Sequence, residues 1–183
     1  MTNNEMILVG GALFFLTKKG QEIITQTPQG PLDQCKKQYE IWQTYTAQSE
    51  KNAQVELYFR ECGYTDSSTG SWAWCQALVS FCCLRSNIPL KSGKQFISTG
   101  ECLTHYKNAG LLKSTPVVGD FGIMALNDGI KPNHVGFVSN IVDESSHVQF
   151  LEGNYSGGLA YVERKATLPK VLGYVSPVRG DNA

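Results

Sequence analysis

The chain has 183 residues and no net formal charge, with sixteen basic residues balancing sixteen acidic ones; 42% of the residues are hydrophobic and 17% charged. That composition supports one ordinary domain with a real core and excludes wholesale disorder. It offers no basic stripe for nucleic acid, and no run of about 20 apolar residues exists to form an ordinary transmembrane helix.

Met6 to Leu16, MILVGGALFFL, is an apolar run followed by Thr17, Lys18 and Lys19. Secretory signals carry positive charge ahead of their apolar stretch, whereas Glu5 is the only charged side chain before this one. Three readings stand. The run is a buried helix or strand docked on the domain, a short membrane-seeking segment with a continuous apolar face, or a cleaved signal. Gln26 to Pro31, QTPQGP, is a cluster of breakers and the best boundary in the chain. Residues 1–31 are therefore expected to form an arm and linker, and residues 32–183 the domain.

Beyond the boundary, Cys35, Tyr39 and Trp42 recur at helical spacing, as do Ile41 and Tyr45. Asp33 is placed to favour the start of that helix. A second helix is expected over about residues 52–62, ended by Gly63 at a position where left-handed backbone is common. The polar loop TDSSTGS leads into an apolar helical run from Trp72 to Leu84, and a short helix near 99–108 closes at Gly110. The period then changes. Phe121 to Leu126, His134 to Ile141, His147 to Leu151, Leu159 to Glu163 and Val171 to Val175 read as strands between turn signals. Helices followed by strands imply an α+β fold with an antiparallel sheet.

The cysteines are Cys35, Cys62, Cys75, Cys82, Cys83 and Cys102. Their even number invites disulfides. A chain of this length needs no such staples, and Cys82 and Cys83 adjoin inside an apolar helical pattern, so mostly reduced, buried thiols are expected. Cys75, in GSWAWCQALVSF, falls just inside a helix start, where free N–H groups favour a thiolate and make a nucleophile. The alternative is a small buried hydrophobe.

A nucleophilic thiol needs a base. His134 opens the apolar run HVGFVSNIV, where a ring at the head of a strand can face a cleft; the alternative is a polar strand terminus. His105 is expected on a surface helix and His147 in solvent. The base needs an orienting partner. In QFLEGNYSGG, Glu152 and Asn154 are two apart and would share a face of a strand, unless Gly153 and Asn154 simply mark a turn.

SWAWCQALVSFC, PVVGDFGIM, HVGFVSNI and FLEGNYSGG, in this order, resemble the cysteine, histidine-dependent amidohydrolase/peptidase (CHAP) family, related to NlpC-like papain-fold hydrolases. The resemblance covers about residues 52–178. It implies a papain-like α+β fold, with N-terminal helices packed on a central antiparallel sheet. Cys75 would be the nucleophile, His134 the base, and Glu152 and Asn154 would match the polar third position. Gly119 and Asp120 would form a structural turn. It also implies peptidoglycan as substrate, cleaved as an amidase or an endopeptidase, with no cofactor. The place of action would be the bacterial cell wall, with a phage lysin or virion-borne enzyme as one setting. The apolar run at residues 6–16 would then attach the enzyme to a membrane or virion.

Calcium-binding members carry acidic residues on both sides of the nucleophile. Here only Asp66 lies upstream and Gln76 follows Cys75, so no metal is expected. Trp72 and Trp74 flank Cys75 and either line the substrate groove or lie under the sheet. Two other functions compete: a cysteine amidase or protease acting on a substrate outside the wall, such as a toxin, and a non-catalytic membrane-tethered module.

Overall fold

The computed structural model describes the backbone of residues 5–9 and 12–16, together with residues 30–65, 73–127, 129–143, 147–166 and 170–177. Within the arm, β1 (Glu5–Val9) pairs antiparallel with β2 (Ala12–Leu16) as a separate two-stranded sheet. Of the backbone readings for this run, strand is the one observed. Among the described residues, no helix is long and apolar enough to cross a membrane.

Helix α1 (Pro31–Thr44) starts with proline, whose missing N–H is no loss at a first helical position, and carries Asp33 in its first turn. Helix α2 (Gln48–Glu61) begins about a turn before the expected start at residue 52. Glu50 explains this. Its Oε2 accepts the backbone N–H of Thr46 at 3.0 Å and of Ala47 at 2.9 Å, satisfying donors that a helix start leaves free. Gly63 follows with φ +93°, the left-handed stop expected there. Helix α3 spans Cys75–Arg85 and α4 spans Thr99–Asn108, the latter with the Ser98 hydroxyl accepting the Glu101 N–H.

Five strands follow: β3 (Phe121–Met124), β4 (His134–Asp143), β5 (His147–Tyr155), β6 (Gly158–Lys165) and β7 (Val171–Val175). They form one sheet in the order β6-β5-β4-β3-β7, with every neighbouring pair antiparallel. The fold is α+β, as the change of period implies.

Helix α3 occupies the centre, and residues 75–83 are all buried. A helix apolar on every side has no solvent face to offer, and this one is enclosed by α1, α2, β4 and β5. Alternation along the strands sends Val135, Phe137 and Leu151 to the helices. Their neighbours Val138, Val148 and Phe150 go to a second cluster with Met124 and Tyr174. All six cysteines are free and buried. The turn into β3 is held by Asp120, whose carboxylate accepts from the Val117 N–H at 2.9 Å, Lys113 Nζ at 2.6 Å and Ser176 Oγ at 2.7 Å. Gly119 supplies φ +96° before it.

Trp74 belongs to this core. It is 6% exposed, with ring centroids 5.2 Å from Trp42 and 6.0 Å from Tyr58. Of its two expected places, the structure gives the one under the sheet and not the groove. The space comes from Gly153 on β5, where a Cβ would lie 2.5 Å from Trp74 Cζ3 and 2.7 Å from a Leu78 methyl. Gly153→Ala should therefore destabilise the fold by about 1–3 kcal/mol through overpacking. Urea denaturation measures this, and an unchanged midpoint would contradict the contact.

Candidate active site

Three antiparallel neighbours, β4, β5 and β6, and the start of α3 bring the site together. Cys75 is the first residue of α3, and no side chain caps that helix end among the described residues. The N–H groups of its first turn, and the partial positive charge they carry, face the thiol's surroundings. Cys75 borders a groove of about 510 Å³, together with Tyr64, Ala73, Ile97, Thr99, Glu101 and Asn133. Among the described residues, Glu101 is the one charged side chain lining it.

His134 heads β4, and the loop before it is tied on two sides. Thr99 Oγ1 donates to the Pro132 carbonyl at 3.1 Å, and Asn133 Oδ1 accepts the Leu126 N–H at 2.8 Å. The ring is buried, and its Nε2 lies 2.8 Å from Glu152 Oε2. The Cys75 side chain is its other close polar neighbour and raises the ring's affinity for a proton. With Nε2 engaged by the carboxylate, Nδ1 is the nitrogen left for the thiol.

Glu152 reaches His134 because of a glycine. On the paired strands Glu152 stands opposite Gly136, two residues from His134 along β4. A Cβ at position 136 would lie 2.7 Å from Glu152 Cγ. The bare backbone lets the carboxylate lie along β4 to the imidazole. Glu152 itself is fully buried. A buried carboxylate must be paired and hydrogen-bonded to persist as an anion. Its second partner is Arg164 on β6, which the sequence reading did not single out. Arg164 Nε donates to Oε1 at 2.6 Å and Nη2 to Oε2 at 2.7 Å, a two-pronged, charge-assisted contact. On β6, Ala160 is the residue facing Glu152, and Arg164 lies on the same side of the strand two pleats further on.

These contacts set the charges. For Glu152 burial alone would favour the neutral acid, but the bonds and charges of Arg164 and His134 outweigh it and hold the carboxyl below its usual range. For His134 burial likewise favours the neutral form, and the bonds and charges of Cys75 and Glu152 override it, raising the pKa from 6.5 to about 9. The imidazolium is thus the state the site is built around. Elsewhere burial pushes the Cys62 thiol up to about 12, and those of Cys82, Cys83 and Cys102 rise for the same leading reason.

Asn154 does not join this array. It takes φ +63° where the β5–β6 register shifts between Gly153 and Tyr155, so the simple alternation that would put it on Glu152's face is broken. His105 lies in α4 with its ring 5.2 Å from Phe96, and His147 opens β5, half-buried. Trp72 and Asp66 fall outside the described residues. Among the described residues, no group of three or more His, Cys, Asp or Glu is arranged to hold a metal ion.

The His134 shift fixes a pH dependence. A pKa raised from 6.5 to about 9 contributes stability that is complete below about pH 6.5 and is lost as pH rises through about 9. In an NMR titration the His134 ring should stay protonated through neutrality. Glu152→Gln should lower its midpoint, because the supporting anion is gone while Arg164 remains. A wild-type midpoint at the ordinary value would refute the arrangement.

Compared with known proteins, the chain matches no family model, no curated protein and no solved structure.

Proposed function

We propose that the chain is a cysteine hydrolase of papain-like architecture that cleaves an amide bond of bacterial peptidoglycan. The observation that carries the chemistry is the buried His134 ring, hydrogen-bonded to Glu152 at 2.8 Å with Cys75 as its other polar neighbour. The choice of the wall as substrate rests on the resemblance of the four segments around Cys75, Asp120, His134 and Glu152.

The arrangement reads as acyl transfer. His134 holds the Cys75 proton, and the thiolate attacks the amide carbonyl. The Cys75 N–H at the α3 start, with a neighbouring donor, stabilises the oxyanion, an effect worth about 3–4 kcal/mol in comparable sites. The imidazolium then protonates the leaving amine, and water, deprotonated by the same ring, clears the thioester. Glu152 supplies the charge that keeps the imidazolium stable, and Asn154 takes no part.

Digestion of purified sacculi followed by mass spectrometry of the fragments tests this. Wild-type protein should release soluble fragments, and their new termini will show which amide is cut. Cys75→Ala and Cys75→Ser should lose roughly a thousandfold or more in rate with the fold intact. Glu152→Gln should cost more turnover than Asn154→Ala. Wild-type rates in either Cys75 variant would sink the assignment. Intact sacculi beside a reactive Cys75 would point to an amide outside the wall.

The apolar arm serves attachment to a membrane surface or virion, not chemistry. Its Lys18 and Lys19 could meet anionic head groups. Deleting residues 1–30 should leave hydrolysis of soluble wall fragments unchanged and reduce co-sedimentation with anionic liposomes. Failure of the truncated chain to fold would show instead that the arm is a packed part of the domain.

A further inference from the structure

We infer that Arg164 is a positioning residue that balances the charge of the site, acting as the second cation that lets Cys75 and Glu152 be anionic together in a buried cleft. The inference deepens the reading of Cys75 and His134 as a nucleophile and base, and it rests on that reading. In the ion-pair state Cys75 and Glu152 each carry a negative charge and His134 a positive one. Three such groups leave one uncompensated anion where water is scarce, and a buried unpaired charge is costly. Arg164 makes the count two against two.

The geometry fits this role better than that of a surface ion pair. Both carboxylate oxygens accept from the guanidinium, at 2.6 and 2.7 Å. The Arg164 side chain is 18% exposed and that of Glu152 0%. Two parallel bonds also fix the plane of the carboxylate, and hence the direction from which Oε2 meets His134. Two tyrosines and one carboxylate are the other ionisable groups that contacts among the described residues place here. The Tyr155 ring lies 5.9 Å from the guanidinium carbon, and Tyr64 and Glu101 line the groove beside Cys75.

Charge balance predicts where the damage falls when Arg164 is removed. The net-negative site must take up a proton. Ordinary affinities decide which group accepts it, since a thiolate near pKa 8.5 does so long before a carboxylate near about 4.3. The group that loses its charge is therefore Cys75, at the far end of the chain of bonds, and not Glu152, which Arg164 touches. A purely structural arginine would show no such effect at a distance.

The experiment is the pH profile of Cys75 alkylation by iodoacetamide on the full chain, read by peptide mass spectrometry. It needs no substrate. Arg164→Gln should raise the midpoint by about one pH unit, which slows labelling about tenfold at neutral pH. Arg164→Lys keeps the charge and should keep the midpoint near that of wild type. Arg164→Met keeps the aliphatic stem but not the charge and should raise the midpoint as Arg164→Gln does. An unmoved midpoint in Arg164→Gln with native circular dichroism overturns the inference. If Arg164→Gln fails to fold, an unmoved midpoint in Arg164→Met with native circular dichroism overturns it equally. If wild-type Cys75 is not labelled ahead of the other cysteines, the nucleophile reading fails and the inference falls with it. The expected shifts in a protein inert on sacculi would support the inference while removing only the wall as substrate.

Discussion

A carboxylate sealed from water organises this molecule. Glu152 is fully buried and accepts bonds from His134 and, twice, from Arg164. Removing any one donor would leave an uncompensated lone pair where nothing replaces it. The requirement reaches into the backbone. It asks for three adjacent strands in fixed register, so that β4 and β6 each offer a cation to the strand between them. It also asks for a residue without a side chain at position 136, so that the carboxylate can lie across β4. The short polar chain from Arg164 towards Cys75 is a charged thread through the interior, separate from the buried Asp120 that ties the turn into β3.

Helix α3 shows the same economy. Cys75, Cys82 and Cys83 share one helix and one core, and all are buried. What separates them is position. Cys82 and Cys83 lie among apolar side chains, and burial holds them as neutral thiols. Cys75 stands at the helix end, on the groove, with an imidazole as neighbour. One residue type thus meets two different surroundings, apolar packing or a polar helix end, according to two helical turns of displacement.

Much of this was legible in the chain. The change from a 3.6-residue to a two-residue period separated helices from strands, and Cys75, His134 and Glu152 stood out because each opens an element or interrupts an apolar run. Other features depend on register, which a linear reading does not supply. Arg164 sits in AYVERK, where flanking Glu163 and Lys165 make it look like one more solvated charge, although its partner lies 12 residues back on the adjoining strand. Asn154 looked equivalent to Glu152 because they are two apart, and the shift in register after Gly153 breaks that equivalence. Trp74 could have faced either way. Gly153 decides it, because the hollow it leaves lies on the core side. The early start of α2 came from Glu50 folding back on two backbone donors, a contact that propensity alone does not reveal.

Strand β6 lies at one end of the five-strand order, so one of its backbone edges has no partner within that sheet. A row of free N–H and C=O groups is a template on which another chain can add a strand and begin aggregation. The exposed side chains along β6 are Tyr161, Glu163 and Lys165. Tyr161 rests its ring 4.9 Å from that of Tyr39 on α1. Glu163 and Lys165 place opposite charges side by side on the outward pleats, where an incoming apolar strand would have to strip their water. The stretch that supplies Arg164 to the buried carboxylate is thus also the one that discourages intermolecular strand pairing, so colloidal behaviour and the pairing of Glu152 depend on neighbouring residues of one strand.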